Sequence, residues 1–303
     1  MRSFVFAVSA LALLTACGQP PAPAAGPPTV AADDHAGHDH AGPFTLTATP
    51  TGTLAPGQPV TLMLRLTDRD GQPLDPADLR EDHGHLLHVM AVDTGLEDYT
   101  HAHPTAGPDG TFSFTFTPRL DRPYRLWTDF HLAHDDETAA DHGDHDHNDA
   151  GHGDHAHGDG HEEGQRASTD LGIGGGVAPP LAAIQSLSAQ AGGLRFQLSL
   201  PGALKVGEAT RVQIAIVGSD GQPFTQLEPL MGAFAHVVGF SAGATEMLHA
   251  HPEGPEPANA AARGGPVLAV TLEPETAGPQ RLFVQVKANG AEITAPFTVL
   301  VGQ

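Results

Sequence analysis

Cysteine is all but missing. The single Cys17 has no partner for an intrachain disulfide, and no thiolate-based metal site can be assembled. Positive charge is scarce too: 14 Lys and Arg against 36 Asp and Glu leave a formal charge of −22. A chain so poor in cations cannot neutralise phosphates, which excludes nucleic acid as a partner. Long apolar runs are absent, since residues 4–14 are too few to span a bilayer. Helical periodicity is confined to one short turn at residues 76–81. No Gly-rich phosphate loop or nucleophile elbow occurs, and carboxylate pairs fall only in segments that read as loops, so the chain is not expected to be an enzyme.

What is present begins with a leader. Arg2 and an apolar run lead into Leu14-Thr15-Ala16-Cys17. This resembles a bacterial lipoprotein signal, which implies that residues 1–16 are removed and that Cys17 carries the lipid. The expected location is extracytoplasmic, in the periplasm or at the cell surface, with the protein attached to a membrane rather than inserted through it. Residues 17–43 are rich in Pro and Ala, include a HAGHDH tract, and read as a semi-extended tether.

The remainder reads as all-β: two tandem antiparallel β-sandwich domains of immunoglobulin or cupredoxin type, over residues 44–178 and 179–303. Short alternating runs such as 60–66, 111–117 and 124–130 are punctuated by Gly and Pro. The second half repeats the plan at 194–200, 209–217 and 281–286, and the join is expected in the Gly- and Pro-crowded run 172–180.

The clearest internal signal is a segment written twice. Residues 84–104, GHLLHVMAVDTGLEDYTHAHP, return 148 positions later as 232–252, GAFAHVVGFSAGATEMLHAHP, with eight of 21 positions identical. His88, His101 and His103 thereby match His236, His249 and His251. Residues i and i+2 of a strand share a face. A two-residue turn at Thr94-Gly95 would set His88 opposite His101, with Cβ atoms about 4.5–5.5 Å apart and His103 on the diagonal. Three neutral imidazoles on one face suit Cu²⁺ or Zn²⁺. One three-His site per domain is therefore expected, with the same turn at Ala242-Gly243 in the second; the plainer alternative is that these histidines cap the hairpins through backbone hydrogen bonds. The first copy has extra candidates around it: Met90, His83, His85, Asp129 and His131. Met90 reads more simply as core, because methionine is a common gap filler.

Residues 227–237, LEPLMGAFAHV, followed by His249-Ala250-His251-Pro252, resemble a family of bacterial exported proteins with a LEPYLGA…H…HxHP signature. The likeness covers most of 55–132 and 194–301. It implies a sandwich fold, secretion and a link to copper or other heavy-metal handling. Leu230 stands where that family has an aromatic residue, and Arg281 lacks a preceding Tyr. Between the halves, residues 134–163 hold eleven Asp and Glu, no Lys or Arg, and eight histidines: His134, His142, His145, His147, His152, His155, His157 and His161. With no aliphatic residue larger than Ala, the insert is expected to be disordered without metal. It resembles the metal-collecting loops of bacterial zinc and nickel proteins. The expectation is thus a lipid-anchored protein that buffers, sequesters or delivers divalent transition metal, copper or zinc, to an unidentified acceptor. The alternative is an envelope interaction module to which metal is incidental.

Overall fold

The computed structural model describes residues 43–133 and 164–303. Cys17, the tether and the insert histidines from His134 to His161 lie outside them. Among the described residues no helix is long and apolar enough to cross a membrane.

The chain is all-β, as its alternation implies. The first half contributes β1 (Thr45–Pro50), β2 (Val60–Thr67), β3 (Leu79–Arg80), β4 (His88–Asp93), β5 (Tyr99–Ala102), β6 (Thr105–Ala106), β7 (Thr111–Phe116), β8 (Tyr124–Leu132) and β9 (Gln165–Leu171). The second contributes β10 (Ser188–Ala191), β11 (Leu194–Ser199), β12 (Leu204–Lys205), β13 (Thr210–Val217), β14 (His236–Ser241), β15 (Met247–Ala250), β16 (Val267–Leu272), β17 (Gly278–Ala288) and β18 (Ala291–Gly302). Among the described residues of the first half, the one helical turn is a short 3₁₀ segment, Pro76–Asp78.

Each half is a two-sheet sandwich. In the first, the order β1-β2-β7-β6 faces β3-β8-β4-β5, with β9 added on β8; in the second, β10-β11-β13-β16 faces β12-β18-β17-β14-β15. Period-two alternation builds both cores. Leu62, Leu64, Leu66, Phe112 and Phe116 meet Val89, Ala91 and Leu126 in the first, and Ile214, Ile216 and Phe196 meet Val237, Val284 and Phe297 in the second. Tyr124 ties the end of the first sandwich: its hydroxyl accepts from the Arg119 and Leu120 N–H groups and donates to Asp98. Burial, then that bond to Asp98, raises its pKa.

The described residues fall in one compact unit, because the two sandwiches share a third core. β4 and β14 are buried at every position on both faces. Val89, Ala91 and Val237 point into their own sandwiches, while Met90, Val92, Val238 and Phe240 pack together between them. Tyr99 stacks on Phe283, with ring centroids 4.5 Å apart and planes at 6°, an arrangement that adds about 0.5–1.5 kcal/mol to the burial itself. Trp127 donates its indole N–H to the Ala244 carbonyl at 3.2 Å.

Candidate metal centre

The doubled segment forms two hairpins, each introduced by a tight turn. Asp82 and His85 exchange backbone hydrogen bonds of 2.9 and 3.0 Å around His83-Gly84, and Leu230 and Ala233 do so at 2.8 and 3.0 Å around Met231-Gly232. All four central residues have positive φ: 49° and 78° in the first turn, 48° and 81° in the second. This is the hairpin geometry that favours Gly. The turns touch, since a Cβ on Gly232 would lie 2.7 Å from the His83 Cβ.

The hairpin loops are longer than the sequence reading expects. Val89 pairs with Ala102 and Met90 with His101, so His101 lies opposite Met90, not His88. Val238 likewise pairs with His249. The cause is Asp93, fully buried, whose carboxylate accepts from the N–H groups of Gly95, Glu97 and Asp98 at 2.6–2.8 Å and holds a four-residue loop. Ser241 plays the matching part, accepting from the Glu246 N–H at 2.9 Å. Relative to the expected register the slip is two residues, which keeps every side chain on its face.

The histidines therefore still converge, but not as one site per domain. His88 Nδ1 is 3.0 Å from His103 Nε2 and 3.4 Å from His101 Nε2, and one nitrogen from each of the three lies within 4.8 Å of the others. The second copy does not close on itself as a matching set. His236 and His249 group with His101, and His251 groups with Asp82 and His83. Ring centroids of His88 and His249 are 5.3 Å apart and those of His101 and His236 5.0 Å, as close across the halves as within them. The two trios are one cluster at the end of the shared core.

Hydrogen bonds fix which nitrogen each ring turns inward. His88 Nε2 lies 3.3 Å from the Asp82 carbonyl and His236 Nε2 3.1 Å from the Leu230 carbonyl, so each directs Nδ1 at the cluster. His249 donates Nδ1–H to Asp129 Oδ2 at 2.8 Å, a bond that crosses between halves and leaves Nε2 inward. His101 Nδ1, His236 Nδ1, His249 Nε2 and His251 Nε2 are buried and have no hydrogen-bond partner. An unmet buried nitrogen costs about 1–3 kcal/mol, and several in one place fit lone pairs kept for an ion.

Burial also favours the neutral form of five of these rings. It lowers the pKa of His88 to about 4, helped by the nearby His249, of His236 to about 3, and of His103 to about 2. It drives His101 and His251 well down in the same sense. For Asp129 burial pushes the carboxyl up, but the bond and charge of His249, with Arg166 and His88, more than offset it, and the net shift is downward. His88, His101, His103, His236 and His251 thus offer neutral imidazole, the form that binds metal.

Of the neighbouring candidates, His85 stacks on His103 with centroids 3.5 Å apart, and His83 Nδ1 lies 3.0 Å from Glu256. Met90 belongs to the shared core. His131, offered by sequence as a ligand, is in none of the three groups: its Nδ1 is 3.4 Å from Arg80 Nη2, two strand positions beyond Asp129. A groove of about 1290 Å³ between the halves reaches the cluster, lined by Asp82, Asp129, His249 and His251 and extending to His131 and Gly164, the residues that flank the insert. Asp82 and Glu256, which face this groove, are not prominent in the sequence; the one signal is the place of Asp82 just before the His83-Gly84 turn.

A family described as a domain of unknown function, DUF8832, matches residues 39–142 and 189–303, which hold all the strands named above except β9 and the first residue of β10. No curated protein matches the chain.

Proposed function

The chain belongs to the DUF8832 family, a domain of unknown function that lends it no activity, and from its own residues we propose that it is a metal-binding protein. It is lipid-anchored through Cys17 outside the cytoplasm, and it buffers, sequesters or hands over copper or zinc. The observation that carries this reading is the meeting of six repeated histidines in one buried cluster with at least four partnerless nitrogens. Tetrahedral Zn²⁺ and tetragonal Cu²⁺ both accept neutral imidazole at about 2.0–2.1 Å, and ring nitrogens 3.0–3.4 Å apart suit donors sharing one such ion. With no cysteine available, the divalent affinity order favours Cu²⁺ wherever both ions are present. The insert would gather ions and the cluster would hold them, and the groove runs from His131 and Gly164, near the insert's two ends in sequence, to the cluster. Asp129 orients His249 in the manner of carboxylates that buttress ligating histidines.

The test is the metal content of the full-length protein after purification without added metal and dialysis against a mild chelator. The reading predicts stoichiometric retained copper or zinc, lost when His88, His101 and His103 are all replaced by Ala. A chain that keeps no ion through that dialysis is the envelope interaction module instead.

A further inference from the structure

We propose that the cluster takes two metal ions as one dinuclear centre, with His101 as the ligand common to both. This rests on the metal-binding reading and adds to it a stoichiometry and a geometry. Six imidazoles are more than one ion uses: Zn²⁺ takes four ligands, and a site open to exchange uses three from the protein. Among the described residues five of these rings fall into two overlapping triads, His88–His101–His103 and His101–His236–His249. His101 is central to both. Its ring centroid lies 5.6 and 5.3 Å from those of His88 and His103, and 5.0 and 5.4 Å from those of His236 and His249.

In the proposed centre each triad takes one nitrogen of this ring. Nε2 faces His88 Nδ1 at 3.4 Å. Nδ1 is buried and partnerless, as are His236 Nδ1 and His249 Nε2, the donors that the second triad has left. Serving both ions at once, His101 gives up its remaining N–H proton to solvent, and two dications balance the resulting imidazolate. Ions on opposite nitrogens of one ring, each at about 2.0–2.1 Å, lie no more than about 6–7 Å apart. His251 then falls outside the pair. It groups with Asp82 and His83 on the groove side, where it can pass an ion inward.

Closely spaced Cu²⁺ ions couple magnetically, which makes the inference measurable on the full chain. The protein would be loaded with Cu²⁺, passed through a mild chelator to remove weakly held ions, and examined by metal analysis and electron paramagnetic resonance. Two retained ions per chain are expected, with integrated spin intensity less than half that of two isolated ions. His101→Ala should restore isolated-ion spectra and cut retention to one ion or none, whereas His103→Ala should spare the second triad. One retained ion in the unmodified protein, or two with full intensity, overturns the dinuclear centre and leaves metal binding standing. No retained ion overturns both. Coupling that survives in His101→Ala removes His101 from its shared position.

Discussion

Asp129 is the residue on which the two halves of the site depend most unequally. It lies opposite His88 in the sheet register, yet its hydrogen bond goes to His249 of the other sandwich. The corresponding position opposite His236 is Gln285, which carries no charge. Asp129→Asn should therefore weaken binding at the second triad about 10–100-fold, the range found when a supporting group behind a metal ligand is lost, and leave the first triad nearly unchanged. Competition titration against a chelator of known affinity reads this directly. The histidines make a separate prediction about pH. In the folded protein His88 titrates near 4 and His236 near 3, against about 6.5 in an unfolded chain. Between these limits the unfolded form binds more protons, so the contribution of these two groups to metal-free stability is complete above about pH 6.5 and declines as pH falls towards 4. Bound metal meets little proton competition over most of that window. From pH 7.5 to 5.5 the protein should keep its tightly held ions, whereas a synthetic peptide of residues 134–163, with ordinary histidines, should weaken about tenfold per ligating imidazole. Parallel dilution of the two at both pH values, with calorimetry, checks the contrast.

At the scale of elements, the paired turns before β4 and β14 set the approach of the hairpins. Gly84 and Gly232 have nearly the same positive φ, but a Cβ on Gly84 meets open space while one on Gly232 meets the His83 Cβ and carbonyl. Gly84→Ala should cost about 1–2 kcal/mol, the left-handed backbone alone. Gly232→Ala should cost about 1–3 kcal/mol more through overpacking, a difference visible in denaturant unfolding of the two variants. Equal losses would mean that the turns do not bear on each other. These hairpins also show how far the sequence could be read. The face shared by His88, His101 and His103 follows from strand parity alone and survives the two-residue slip of register. The slip itself comes from Asp93 and Ser241, whose side chains bond into their loops; both read as ordinary loop-edge polar residues until their burial is known. β9 gives no strand signal in the sequence, because only Ala167 and Leu171 of its seven residues are buried, too few to show an alternation.

For the whole molecule, the informative and overlooked signal was in β4 and β14. HVMAVD and HVVGFS are apolar at consecutive positions rather than at alternate ones, the pattern of a strand covered on both faces. Each strand alone suggests a well-buried sandwich strand. Only the docking of one sandwich on the other, a contact between residues about 150 positions apart, turns two hairpins into one histidine cluster. Metal held there would tie the halves together, and a ligand that binds only the folded state stabilises it by mass action. The central claim is that donors from both halves surround the bound ion. Its most direct test is diffraction from crystals of the Cu²⁺- or Zn²⁺-loaded protein, recorded on both sides of the metal absorption edge. The account predicts anomalous density among His101, His236 and His249, with ligands from the two halves on one ion. Density confined to sites outside the cluster, with these imidazoles uncoordinated, would contradict it.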